Sequence, residues 1–184
     1  MPHYVQKLRV GGRVSQPNLA PRDGWFLLFP CLDSGDRSET LLELLNSSRT
    51  VIPFILAENN EVLLLTRVNI DWVVVQKGVE PQLIYPPGHA VTSEQRVDLR
   101  LIDESHVHAI IQWDSPERVD RLSDFLNRGQ MFVAAETEFG TLLVNQLRVR
   151  ETHVAPSAAG EATTVDRRNH GGMSASDDER RRSA

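Results

Sequence analysis

The chain has 184 residues, of which 40% are hydrophobic, 24% charged and 6% aromatic. This composition is typical of a globular protein, and together with the single cysteine it excludes collagen, fibrous proteins and disulfide-rich scaffolds. The formal net charge of −5 argues against a nonspecific nucleic-acid binder, because such proteins neutralise phosphates with a basic surface.

The apolar runs of the chain are short. None approaches the length of about eighteen residues that a membrane-spanning helix requires. The N-terminal segment has no apolar stretch behind a basic start, as a secretory signal would have. We therefore expect a cytoplasmic protein that does not insert into a membrane.

The first half of the chain predicts two strands and then a hairpin. Leu8–Val14 and Trp25–Leu32 are strand-like and are separated by a loop that contains two prolines. Farther on, Thr50–Leu56 predicts a third strand, and a turn at residues 58–60 leads into a fourth within Leu63–Val75.

The second half of the chain shows the same order. Val97–Ile102 and Val107–Trp113 alternate apolar with polar residues around a turn at 103–105, as half-buried strands do. Gln130–Glu136 and the apolar positions within Leu142–Val154 predict a later hairpin with its turn at 138–140.

A short helix is predicted between the second and third strands of each half. Apolar residues spaced i, i+3, i+4 form one stripe on each helix, and they are Leu41, Leu44 and Leu45 in the first half and Leu122, Phe125 and Leu126 in the second. The expected helix starts are Asp36 or Ser38 in the first half and Ser115-Pro116-Glu117 in the second.

The two halves are therefore copies of one β-β-α-β-β pattern. Asn46 matches Asn127 at the helix end, and Val68-Asn69 is matched to Val144-Asn145 farther on. The predicted fold is mainly β with two short helices, in the α+β class. The predicted organisation is a first module in 1–80, a proline-rich extended linker in 81–94, a second module in 95–155 and a disordered tail in 156–184.

Each module is small for an independent core, so we expect the two to share one. They would form either two small half-open barrels or one merged sheet, and the sequence does not decide between these arrangements. Strand edges left exposed would allow further pairing into a homodimer.

The second copy carries a recognisable string of residues. The segment Arg121–Asn127 reads RLSDFLN, and Leu143-Val144-Asn145 follows after a strand. This pattern resembles an uncharacterised bacterial domain family over about 60 residues. The resemblance implies a bacterial origin and this architecture, and it carries over no catalytic residue.

Several polar positions of that pattern are candidate interaction residues. Arg121 and Asp124 are three apart on the second helix, which predicts a surface ion pair. A second hypothesis is that Asp124 and Asn127 hold the following hairpin through side-chain to backbone hydrogen bonds. Asn145, matched to Asn69, is expected to be a turn or bulge residue.

Three further features have functional alternatives. Trp72 lies in an otherwise aliphatic strand and is a candidate interface residue. Arg96 and Arg100 have the R-x-x-x-R spacing with which PilZ domains bind cyclic-di-GMP, although the second PilZ motif lacks its glycine at His108. His106 and His108 could bind a metal with Asp103 or Glu104, but no further spaced ligand accompanies them.

The sequence contains no nucleophile elbow, zinc-protease motif or phosphate loop. We therefore expect a noncatalytic protein-interaction, scaffolding or regulatory module that has protein partners and no cofactor or metal. The alternatives that remain open are a cyclic-nucleotide sensor with Arg96 and Arg100 at its site, and a small RNA-binding barrel, against which the acidic body argues.

Overall fold

A computed structural model of the chain describes residues 8–31, 37–114 and 121–155. These residues form one ten-stranded antiparallel sheet with short helices, which confirms the mainly β, α+β class, and the sheet does not close into a barrel. Of the two predicted arrangements, the merged sheet is the one that forms. The predicted disordered tail and the expected helix-start residues Asp36 and Ser115-Pro116-Glu117 lie outside the described residues.

The strands follow the predicted order, with a fifth strand added in each copy. The ten strands are β1 Leu8–Ser15, β2 Arg22–Leu28, β3 Val51–Leu56, β4 Val62–Thr66, β5 Trp72–Val75, β6 Ser93–Leu101, β7 His106–Trp113, β8 Phe132–Thr137, β9 Gly140–Asn145 and β10 Val149–Val154. The helices are α1 Leu41–Asn46, α2 Pro81–Ile84 and α3 Leu122–Leu126, and two 3-10 turns occupy Arg67–Asn69 and Gln146–Arg148.

The sheet repeats one strand order twice. Its order is β10-β6-β7-β8-β9-β5-β1-β2-β3-β4, so each copy contributes its fifth strand, then its first to fourth strands in sequence. We call β1–β5 module 1 and β6–β10 module 2. The fourth strand of module 2, β9, pairs with the fifth strand of module 1, β5, and we call this pairing the seam.

The 3-10 turn in each module divides what the sequence suggested was one long strand. In module 1 the turn follows Thr66, and in module 2 it follows Asn145, whose side chain accepts a hydrogen bond from the backbone N–H of Leu147 at 3.0 Å. The turn redirects the chain so that the fifth strand crosses to pair with the first strand of its own module.

The predicted match of Asn69 with Asn145 is therefore wrong by three residues. Val51 pairs with Thr66 just as Phe132 pairs with Asn145, so Thr66 is the true counterpart of Asn145. Asn69 instead ends the first 3-10 turn. Sequence alignment placed the two asparagines together because residue identity outweighed a three-residue shift in a turn.

The linker is not wholly extended, as its prolines had suggested. Pro81 occupies the first position of α2, where its missing N–H costs no helical hydrogen bond. Ile84 on this short helix is buried, and Tyr85 donates a hydrogen bond to a carboxylate oxygen of Glu136 at 2.7 Å. The linker thus packs on module 1 and contacts module 2.

Helix α1 is capped two residues beyond the nearer of the expected positions. Thr40, not Ser38, is the N-cap: its hydroxyl accepts the backbone N–H of Glu43, and the Glu43 carboxylate accepts the backbone N–H of Thr40 at 2.8 Å. In α3 the residue at the same helical position repeats half of this arrangement, because Asp124 accepts the backbone N–H of Arg121 at 3.1 Å.

Buried apolar side chains form two clusters on opposite faces of the seam. The first cluster joins α1 to the inner side of module 1, and it also takes in Phe132, Ala134 and Leu143 from module 2. The second cluster belongs mainly to module 2, and Trp72 and Val74 of module 1 pack against it. Each module therefore completes the core of the other.

Candidate functional site

At the edge of the second cluster, the side chains of β5 and β7 do not meet, and a depression lies between the two strands. A groove of about 480 Å³ lies there, and we call it the Trp72 groove. Apolar residues from three strands and one hairpin turn line it, namely Trp72, Val74, Val107, Leu142 and Phe139. Ser105, His106, His108, Thr137 and Glu138 form its polar rim.

Each wall of the Trp72 groove has a local structural cause. Trp72 and Val74 alternate with buried Val73 and Val75 along β5. The side chains of Trp72 and Val74 therefore lie on the face of the strand that packs against the second cluster. Phe139 occupies the tight turn between β8 and β9 and is 67% exposed. An aromatic side chain in that position has little of its own protein to pack against.

The rim carries one arrangement of ionisable groups. The Nδ1 atoms of His106 and His108 each lie 3.6 Å from a carboxylate oxygen of Asp98. That separation is too long for a direct hydrogen bond but allows electrostatic attraction when an imidazole is protonated. His108 also lines an adjoining cavity of about 600 Å³, to which Asp98 of β6 contributes.

The hydroxyl groups of the rim are engaged in local turns. Ser105 donates its hydroxyl proton to Asp103 at 2.6 Å, and Thr137 donates to the carbonyl oxygen of Gly140 at 2.8 Å. Neither hydroxyl therefore points its proton at His106 or His108. The rim therefore offers polar groups whose hydroxyl protons are already engaged within their own turns.

Trp72, the candidate interface residue, lies in this groove, and the candidate metal ligands His106 and His108 lie on its rim. Reasoning from the sequence did not identify Phe139, Val74, Val107 or Leu142, because the curvature that brings β5 near β7 depends on the whole sheet. One local signal was present in the sequence: Phe139 is a large apolar residue within a predicted turn, where a polar residue is more usual.

Asn145 serves the architecture. It is fully buried, and its amide donates a hydrogen bond to the carbonyl oxygen of Ile70 at 2.8 Å while its oxygen caps the 3-10 turn. Arg148 of module 2 adds an ion pair with Asp71 of module 1, with its Nε 3.2 Å from a carboxylate oxygen of Asp71. Burial raises the pKa of Asp71, and the positive charge of Arg148 opposes that rise.

Asp124 lies on α3, Arg121 and Asn127 cap its two ends, and none of the three lines the Trp72 groove. Asp124 bonds to the backbone of Arg121, so the structure assigns it to the helix start and not to the following hairpin. Asn127 is exposed at the helix end. Its counterpart Asn46, by contrast, makes hydrogen bonds to the backbone of Phe132 in β8.

Arg96 and Arg100 share the polar side of β6, as predicted. Arg100 forms ion pairs with Glu104 and Glu151, and these carboxylates raise its pKa. Arg96 lines the 600 Å³ cavity beside Asp98. A phosphate ligand at Arg100 would have to displace two carboxylates.

His106 and His108, the candidate metal ligands, lie beside Asp98 and, within the described part of the chain, not beside a further histidine or cysteine ligand. Across residues 8–31, 37–114 and 121–155, no group of three or more histidine, cysteine, aspartate or glutamate side chains is arranged to hold a metal ion. Within the same ranges, no helix has the length and apolar character needed to cross a membrane.

Comparison with known proteins yields no relative for this chain: no family model matches it, and neither a curated protein nor a solved structure matches it significantly.

Proposed function

We propose that the protein is a noncatalytic cytoplasmic module that binds another protein by holding an apolar side chain in the Trp72 groove. The observation that carries the proposal is the set of five apolar residues that line this groove, with exposed Phe139 at one side. Uncovered aromatic and aliphatic surface of this kind marks interaction sites, because burying it on binding releases free energy.

The chemistry of the rim supports a peptide ligand of defined composition. An aromatic residue or leucine would contact Trp72 and Phe139, which supply large rigid surfaces. Glu138 is exposed on the same turn as Phe139 and favours a basic residue beside the apolar anchor.

The test is selection of a phage-displayed library of random twelve-residue peptides on the full-length protein. We expect the selected peptides to share an aromatic or leucine anchor and to lose about tenfold in affinity for the variant Phe139→Ser. Phe139 is exposed, so this substitution leaves the core intact, and circular dichroism verifies the fold.

Leu147→Ser is the matched control. Leu147 is 63% exposed, close to the value for Phe139, and lies in the second 3-10 turn outside the Trp72 groove. Peptides selected on the wild type should bind this variant unchanged. If no peptide is enriched, or if the selected peptides bind Phe139→Ser and Leu147→Ser equally, the groove is not the binding site.

A further inference from the structure

The sheet ends in two unlike strands, and each has a counterpart inside the seam. Among residues 8–31, 37–114 and 121–155, β4 at one end pairs only with β3, and β10 at the other end pairs only with β6. Because β4 is a fourth strand and β10 a fifth strand, they are the counterparts of β9 and β5. The seam is thus an example, within one chain, of the pairing that the two outer strands could make with each other.

The counterparts are fixed residue by residue. In the seam Leu143 pairs with Val73. Leu65 occupies the same place beside Ile52 that Val144 occupies beside Val133, so Leu64 is the counterpart of Leu143. Thr152 is the counterpart of Val73, because Val73 pairs with Val14 of the first strand and Thr152 with Leu99 of the sixth.

The free backbone groups of the two outer strands are those that the seam uses. The backbone carbonyl of Glu61 accepts a hydrogen bond from Leu56, and the backbone N–H of Arg67 donates to Thr50. Odd-numbered residues of this segment therefore direct their backbone groups toward β3, and the backbone N–H and C=O of Leu64 point to the open edge. The backbone N–H of Ala155 donates to the carbonyl oxygen of Arg96. Odd-numbered residues of β10 therefore direct their backbone groups toward β6, and those of Thr152 point to the open edge.

Leu64 lacks the cover that its counterpart Leu143 has in the seam. Leu143 is fully buried in the first cluster, whereas Leu64 is 72% exposed. Next to β10 lies an open cavity of about 160 Å³, lined by Leu99, Leu126, Val133 and Thr152 among others. We call it the β10 groove. Within the second cluster it lies beside β10, as the side chain of Leu143 lies beside β5 in the first cluster.

We propose that copies of this chain associate head to tail, with β4 of one copy pairing with β10 of the next and Leu64 entering the β10 groove. This contact joins unlike surfaces, so it leaves a free β4 at one end and a free β10 at the other. The assembly therefore extends beyond two copies, either until it closes into a ring or as an open chain. It is a different arrangement from a twofold homodimer.

The contact between copies is weaker than the seam within the chain. Beside Thr152, β10 carries Glu151 and His153 where β5 carries Trp72 and Val74, so only one face of the new pairing is apolar. Edge strands of soluble proteins commonly carry such charges, which limit pairing. The association is consequently reversible and increases with protein concentration.

Sedimentation analysis of the full chain between about 1 and 500 µM tests the proposal. The average mass of the wild type should rise through dimer to larger species. Leu64→Lys should abolish that rise over this range, because a lysine cannot enter the β10 groove without desolvating its charge. Leu19→Lys is the control, since Leu19 is 54% exposed and lies in the turn before β2.

A complementary variant acts on the other edge. Thr152→Pro removes an outward-facing N–H and no bond to β6, and its fold is verified by circular dichroism. We expect Leu64→Lys and Thr152→Pro each to remain monomeric alone, and an equimolar mixture to stop at a dimer, because the mixture has one intact β4 and one intact β10.

Two results would overturn the proposal. One is a wild-type protein that stays monomeric over the whole concentration range. The other is a dimer that persists in either single variant, since a twofold contact between two β4 edges would survive Thr152→Pro and one between two β10 edges would survive Leu64→Lys.

Discussion

Asn46 makes two hydrogen bonds to the backbone of Phe132, a residue 86 positions away. Its amide donates to the Phe132 carbonyl oxygen at 2.9 Å, and its side-chain oxygen accepts the Phe132 N–H at 2.9 Å. A single side chain at the end of α1 thereby holds the first residue of β8. The sequence showed Asn46 only as a helix-ending residue, because its partner belongs to the other module.

Asn46→Ala should destabilise the protein by about 2–4 kcal/mol, because it leaves two buried backbone groups of Phe132 without partners. Asn127→Ala is the matched control, since Asn127 holds the same place on α3 but is exposed. At a dilute protein concentration, Asn127→Ala should lower the free energy of unfolding by less than about 0.5 kcal/mol. Urea unfolding measures both, and equal effects would contradict the role assigned to Asn46.

The pH dependence of stability has an identifiable contribution from Glu43. Its hydrogen bond with Arg37 holds the pKa of the Glu43 carboxyl below its ordinary value of 4.5. A carboxyl whose folded pKa is lowered stabilises the folded state above the ordinary pKa, and this contribution disappears as the pH falls through the folded pKa.

Glu43→Gln should therefore cost about 0.5–1 kcal/mol at pH 7, because it removes the charge of a partly exposed pair while keeping a hydrogen-bond acceptor. The difference from wild type should shrink below pH 4.5 as the native carboxyl becomes protonated. Thermal unfolding of both proteins between pH 7 and pH 3 measures it. A difference that stays constant over this range would show that the charge contributes nothing.

At the scale of the elements, the two helices share a sequence pattern but differ in burial. The apolar stripe of α1 is enclosed by its own module and by β8, so Leu44 and Leu45 are fully buried. On α3 the counterparts Phe125 and Leu126 are only partly buried, and Leu126 lines the β10 groove. Periodicity identified both helices and the facing side of each, but not how completely each side is covered.

Leu45→Ala should therefore destabilise the monomer by about 2–5 kcal/mol, as truncation of a fully buried leucine does. Leu126→Ala should cost less than half as much, because Leu126 already borders an open cavity. Chemical denaturation of dilute protein provides the comparison. If the two costs are equal, the stripe on α3 is more completely covered than the structure shows.

The fifth strands show where prediction from sequence reached its limit at this scale. Alternation and turn residues located the strands, but the two 3-10 turns interrupt segments that were each predicted as one strand, and they contain no glycine or proline. The Asn145 side chain supports the change of direction in module 2, and in both modules the fifth strand pairs with the first strand. Those contacts are distant in sequence, so local patterns could not reveal them.

At the scale of the whole molecule, the two modules contribute side chains to each other's cores. The first cluster contains Phe132 and Leu143 of module 2, and Trp72 of module 1 packs against the second cluster. We expect a single unfolding transition for the full chain, and we expect residues 1–80 alone to lack a cooperative one. Near-ultraviolet circular dichroism and calorimetry distinguish these cases. A separate cooperative transition for residues 1–80 would show that module 1 folds without its neighbour.

The reach of Asn46 across 86 residues has a consequence for synthesis. A ribosome releases α1 long before it has made Phe132, and loop closure over that distance must wait for the later segment. During this interval the side of α1 that β8 will cover faces water. A nascent chain stalled before residue 132 should therefore be a better substrate for chaperones and proteases than the completed protein.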